Sequence, residues 1–323
     1  MTRRELLMGA AAAAGVAAAR TPLGAQQADP AKLARIAIMV LNFESTLKVP
    51  GLWESPTDTL DLSDVPKMFA DRYGVHNIEI QHTHFASTEA SFLKEVRAQA
   101  EQSGSRISNI NLEFGPLNVS STTLVARLQA IDLTKQWVDH AVVLGSPRVM
   151  INQGALKEEN KAEAIRALKT MVEYGKSKGV KIGVETRGVG GNNRGVVGTV
   201  LPPPAPGTAP ATPPAPPAPG APLPVLTTPP SWVLLAEVLR ESGALANVDI
   251  GGVGAADQGE LHAALRTLLP MTIGSMHIRP SPRWDLATAV KFTVALGYQG
   301  LYSIEVRGHE GTLAARDTVL ANL

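Results

Sequence analysis

Four short apolar stretches in the second half of the chain each end on a side chain able to hold a metal ion. They are Lys181-Ile-Gly-Val-Glu185, Ala246-Asn-Val-Asp249, Ile273-Gly-Ser-Met-His277 and Leu301-Tyr-Ser-Ile-Glu305. Three carboxylates and one imidazole form a donor set suited to a divalent ion such as Mn²⁺, Mg²⁺ or Zn²⁺. Short apolar runs separated by helix-patterned segments read as parallel strands. In a parallel α/β barrel the strand ends and the loops after them build the active-site face, so Glu185, Asp249, His277 and Glu305 are expected to meet there.

An arginine stands two residues beyond three of these four, in Glu185-Thr-Arg187, His277-Ile-Arg279 and Glu305-Val-Arg307. If strand geometry persists, period two points each arginine toward the side of its ligand and makes a cationic rim. Such a rim either compensates the carboxylates or recognises an anionic or polyhydroxy substrate. His82 and His84, also two residues apart, follow a second strand-like run and are candidates for substrate contact. Glu79 and Glu113 are weaker candidates. Asn109, Asn111 and Asn152 could bind hydroxyl groups, whereas His76, His140, His262 and His309 carry no spacing signal.

Positioning these groups requires a regular alternation of strand and helix, and from Arg35 the sequence supplies one. Strands are predicted at 36–41, 77–80, 106–112, 148–151, 181–185, 246–249, 273–277 and 301–305. Helices are predicted at 62–73, 87–102, 122–144, 157–178, 231–240 and 284–296, with Ser87 as an N-cap and Asp257-Gln-Gly-Glu260 as a capping box opening one more. Gly145 and Gly179 are placed to close two of the helices. Eight strands alternating with helices favour a closed (β/α)₈ barrel over an open doubly wound sheet.

The 323 residues are 44% hydrophobic and 18% charged, with no cysteine, which excludes disulfides and thiolate ligands. Arg3-Arg4 followed by a weakly apolar run to Ala19 resembles a twin-arginine export leader, assigned to residues 1–28, and implies a periplasmic or exported protein. The run is too short for a stable membrane anchor. Cleavage after Ala25 would remove Arg3, Arg4, Arg20 and Glu5, taking the formal charge from +1 to −1. That balance argues against a nucleic-acid partner. The barrel is assigned to residues 33–323, interrupted at 188–230 by a Gly-rich and then Pro/Ala-rich insertion after strand five.

Val184-Glu185, Val248-Asp249-Ile250-Gly251, Met276-His277-Ile278 and Ile304-Glu305 together resemble the xylose isomerase-like TIM barrel superfamily, the sugar phosphate isomerase/epimerase group. The resemblance implies that Glu185, Asp249, His277 and Glu305 are metal ligands, with Glu185 and Glu305 also the catalytic acid/base pair. It further implies a metal-dependent isomerase or epimerase acting on a small carbohydrate through an enediolate formed by proton abstraction next to a carbonyl. A lyase or dehydratase working on a keto-sugar or keto-glycoside is the alternative on the same scaffold. An exported carbohydrate-binding protein with a silent site is the alternative from another class. Two departures bear on substrate: Gly252 stands where many members have histidine, and His277-Ile-Arg279-Pro280 replaces a common His-x-Lys-Asp.

Overall fold

The computed structural model describes residues 29–49, 59–187 and 231–323. The leader at 1–28 and the insertion at 188–230 lie outside the described residues. Eight parallel strands close into a barrel in chain order: β1 (Ile36–Met39), β2 (Asn77–Gln81), β3 (Arg106–Leu112), β4 (Arg148–Asn152), β5 (Lys181–Glu185), β6 (Leu245–Asp249), β7 (Thr272–Ile278) and β8 (Leu301–Ile304). β8 returns to pair with β1, so among the described residues the sheet has no open edge. After the short α1 (Pro30–Leu33), the outer ring is α2 (Val65–Tyr73), α3 (Ala90–Gln102), α4 (Leu124–Leu144), α5 (Lys161–Lys178), α6 (Ser231–Ser242), α7 (Gln258–Leu268), α8 (Leu286–Ala295) and α9 (Gly308–Asn322).

Local chemistry explains where the chain departs from its pattern. The first strand stops at Met39 because Val40–Phe43 turns into a 3₁₀ helix. That turn carries Asn42 onto β8, where its amide donates to the Ile304 carbonyl at 2.9 Å and accepts from the Val306 N–H at 2.9 Å. The third helix begins at Ala90 rather than Ser87, since the Ser87 hydroxyl accepts from Glu89 N–H in a tight turn before it. Asp257 does cap α7 through Glu260 N–H at 2.9 Å, but Glu260 returns its bond to Ala256 N–H. Gly145 and Gly179 both adopt φ +73 and close α4 and α5, a conformation that side-chain-bearing residues rarely take.

One face of the strands is apolar and packs under the helices, with Ile78, Ile80, Ile110, Val248, Met276 and Ile304 all fully or nearly fully buried. The alternate face points into the barrel, and its upper part is polar. Glu79, Asn109, Asn111, Asn247, Ser275, His277 and Ser303 are each at most 2% exposed. Burying so many polar groups costs stability unless each finds a partner, so this part of the barrel carries more than packing.

Candidate metal centre

β5 and β6 end on Glu185 and Asp249, while His277 is the penultimate residue of β7 and Glu305 follows the last residue of β8. The register places His277 beside Asp249 on one side and Ser303 on the other. Adjacent strand ends therefore deliver the four predicted ligands to one mouth. The donor atoms of Glu185, His277 and Glu305 lie within 4.8 Å of one another. Asp249 is beside this group but is turned to Arg279, whose Nη2 donates to Asp249 Oδ2.

His277 organises the cluster. Its Nδ1 lies 2.9 Å from Glu185 Oε1 and 3.3 Å from Glu305 Oε2, while its Nε2 lies 2.6 Å from Glu79 Oε1. The Asn247 side-chain amide is 3.0 Å from the same Nε2. Burial opposes a charge on this ring, but Glu79 and the hydrogen bonds to Glu185, Glu305 and Glu79 prevail and hold its pKa well above the usual histidine value. Glu79 is fixed in turn by Asn109 Nδ2 at 3.2 Å, and Asn109 also donates to Asn111 Oδ1 at 3.0 Å.

The residues fit a divalent ion on three counts. A metal-binding histidine ordinarily donates its other ring N–H to a carboxylate, and Nε2–H to Glu79 leaves Nδ1 facing Glu185 and Glu305. Asp249 Oδ1 is buried without a hydrogen bond, and such an oxygen is costly unless a cation satisfies it. The set of three carboxylates and one imidazole is also chemically suited to Mn²⁺, Mg²⁺ or Zn²⁺.

The carboxylates are not equivalent. Burial opposes ionisation of Glu185, yet Arg187 and His277 hold its pKa at about 2. Burial, then repulsion by Glu305, push Asp249 up to about 7 against the pull of Arg279. Burial likewise raises Glu113 to about 7, with Arg187 only partly offsetting it.

The predicted rim is only partly assembled. Arg187 bridges Glu185 and Glu113, at 2.5 Å to each. Arg279 reaches across to Asp249 rather than siding with His277. Arg307 does not join them: its Nη1 donates to Glu44 Oε2 at 2.8 Å and to the Leu41 carbonyl. Period two fails there because β8 stops at Ile304 and Val306 gives its N–H to Asn42, which redirects the chain into α9.

His82 and His84 share a 3₁₀ turn after β2 but have different surroundings. His82 Nδ1 accepts the Glu113 N–H at 3.2 Å, and its ring meets Phe114 and Trp137 edge-on. Burial lowers its pKa to about 4. His84 is 1% exposed, and burial, His82 and Arg307 lower it to about 3. Asn247 and Ser303 were not distinguished by the sequence pattern, although each stands two residues before a predicted ligand and so shares its face of the strand.

The family described as Xylose isomerase-like TIM barrel matches residues 69–198. That segment contains Glu79, Glu113, Glu185 and Arg187 but stops before Asp249, His277 and Glu305. No curated protein matches the chain. Solved structures similar to it include an L-ribulose 3-epimerase, with TM-score 0.62 and 16% identity over 89% of this chain and 92% of that one. A D-tagatose 3-epimerase-like protein gives 0.59 and 17% over 89% and 96%. D-psicose 3-epimerase from Clostridium cellulolyticum H10, solved with D-tagatose, gives 0.59 and 12% over 89% and 96%. At these identities the likeness establishes the fold.

Proposed function

We propose that the protein is a divalent-metal-dependent isomerase or epimerase acting on a small sugar or sugar derivative. The observation that carries this reading is His277, whose Nε2 is committed to Glu79 while Nδ1 faces Glu185 and Glu305. The epimerases among the similar structures support the substrate class. Glu185, Asp249, His277 and Glu305 would hold the ion. When bound, a divalent ion polarises a carbonyl and so acidifies the hydrogen on the neighbouring carbon.

The chain's own groups do the rest. Glu185 and Glu305 come from strands separated by β6 and β7 and both reach His277 Nδ1, so a substrate held at this cluster would meet both carboxylates. One takes the α-proton and the other returns it, which inverts the carbon; return to the adjacent carbon gives aldose–ketose isomerisation. Glu185, held near 2 by Arg187 and His277, is ionised at neutral pH. Arg187 keeps Glu185 in place while bonded to Glu113 at its other end.

The test combines metal analysis with proton exchange. Mn²⁺-loaded protein incubated with a panel of ketoses in D₂O should place deuterium on the substrate's α-carbon, and Glu185→Gln and Glu305→Gln should each abolish that exchange. Full turnover after exhaustive chelation would remove the metal from the reaction. Arg3-Arg4 supports a second proposal, export of the folded protein through the twin-arginine route. Replacing both with lysine should retain the protein in the cytoplasm, and an unchanged periplasmic yield would refute this.

A further inference from the structure

We infer that the N-terminal face of the barrel, opposite the mouth, carries a second binding site, and that Arg106 there holds a small organic anion, a phosphate ester or a carboxylate. A cavity of about 490 Å³ opens on this face between α1 and the starts of β2 and β3, with Leu33, His76, Asn77, Ser105 and Arg106 among its walls. That volume lies within the range of small-molecule sites. The cavity shares no residue with the metal cluster, so the inference stands apart from the function proposed above.

Arg106 is oriented by one neutral partner and keeps its outer donors. Its Nε donates to Asn77 Oδ1 at 2.8 Å. Asn77 is buried, and its Nδ2 donates to the carbonyls of Ala34 at 3.0 Å and Ile36 at 2.8 Å, which fixes the amide and with it the guanidinium. No described residue accepts from Arg106 Nη1 or Nη2, and these two nitrogens form a planar fork that fits a carboxylate or phosphate. Beside it, His76 directs Nδ1 to Ser105 Oγ at 3.3 Å, and no described residue bonds its Nε2. The Arg106 N–H donates to the His76 carbonyl at 2.8 Å, so the two side chains are held at one wall of the cavity. Leu33 and Pro30 add an apolar surface for the body that carries the charged group.

The same face is short of negative charge. Arg35 precedes β1, while Arg106 and Arg148 open β3 and β4, and among the described residues none of the three forms an ion pair. Arg35 donates to the Tyr298 carbonyl and Arg148 to the Ile273 carbonyl at 3.5 Å, and the Nε of each is buried without a hydrogen bond. Arg106 repels Arg148, and the carboxylate that offsets this, Glu79, is already bonded to His277 and Asn109. At the mouth, by contrast, Arg187 and Arg279 each meet carboxylates. A cavity in a field of one sign concentrates ligands of the other.

Calorimetric titration of the metal-free full chain tests this with phenyl phosphate, benzoate and benzyl alcohol as probes. At least one anion should bind about tenfold or more tightly than benzyl alcohol, the size expected for a charged hydrogen bond. The tighter of the two anions assigns the charged group as phosphate or carboxylate. Arg106→Gln should erase the preference and Arg106→Lys should keep part of it. Lys181→Gln removes an exposed charge at the start of β5, on the same face but outside the cavity, and should leave the preference as in wild type. Arg279→Gln, at the mouth, should also leave it unchanged. Equal binding of the three probes, binding of none, or a preference that survives Arg106→Gln would overturn the inference. So would an equal loss in Lys181→Gln, which would make the effect one of overall charge, or in Arg279→Gln, which would move the anion to the mouth. None of these results bears on the metal-dependent reading, which stands or falls on exchange at the substrate carbon.

Discussion

The two halves of the barrel contribute different chemistry to one mouth. β5 to β8 deliver Glu185, Asp249, His277 and Glu305, groups that can ionise or hold a cation. β2 and β3 deliver Glu79, Asn109 and Asn111, which touch one another and His277 deeper inside. Asp249 Oδ1 in the first set is buried without a hydrogen bond, and the set faces two partly exposed arginines. In the second set Glu79 Oε1 is bonded from two sides, by His277 and Asn109, while Glu79 Oε2 and Asn109 Oδ1 are, like Asp249 Oδ1, buried without a hydrogen bond. The contrast separates a half rich in ionisable groups beside two arginines from a half that sets the orientation of one imidazole.

The sharpest way to break that division is Glu79→Gln, which keeps the shape and removes the charge. Glu79 and His277 are both inaccessible to solvent, and removing one partner of a buried ion pair typically costs about 3–5 kcal/mol. Ion-free protein should lose stability on that scale in a denaturant titration. Mn²⁺ affinity should also fall by roughly 10- to 100-fold, as expected when a metal-binding histidine loses its supporting carboxylate. Unchanged Mn²⁺ binding would show that the β2 and β3 half is packing alone.

The same contrast explains how much could be read from the sequence. The meeting of Glu185, Asp249, His277 and Glu305 at one mouth was legible because each closes an apolar run, and the eightfold alternation fixes the barrel. Glu79 was visible only as a weak candidate, since a lone acidic residue inside a strand gives no sign that it faces His277, 198 positions away. Asn247 and Ser303 were hidden for the same reason. Arg307 was misplaced because the pattern cannot foresee that Asn42, from the other end of the chain, intercepts the backbone after β8. The pairing of Arg279 with Asp249 depends on Gly251 and Gly252, whose role appears only when the space beside them is known.

A smaller effect should arise at His82, on the supporting half. Its pKa of about 4 lies below the ordinary 6.5, so the folded protein keeps the ring neutral where the unfolded chain protonates it. Its contribution to stability is complete above pH 6.5 and is lost as pH falls toward 4, up to about 3 kcal/mol in all. Asp249 and Glu113, raised to about 7, act in the opposite sense over the same window, so the wild-type profile alone would hide it. The difference between wild type and His82→Gln isolates the histidine: the advantage of wild type should shrink progressively from pH 6.5 to 4. A constant difference would mean that His82 titrates normally in the folded protein.

The smallest effect is expected where sequence spacing and structure part company. Arg307 and Arg279 each stand two residues beyond a proposed ligand, yet the Arg307 side chain is 63% exposed and its carboxylate partner is Glu44, outside the cluster. Exposed ion pairs contribute about 0–1 kcal/mol. Arg307→Ala should therefore change stability by less than about 1 kcal/mol and leave Mn²⁺ affinity as in wild type. If Arg307→Ala instead lowered Mn²⁺ affinity as far as Glu79→Gln, the cluster would extend from the β7–β8 side across to the loop after β1, and the division of the mouth would not follow the two halves of the barrel.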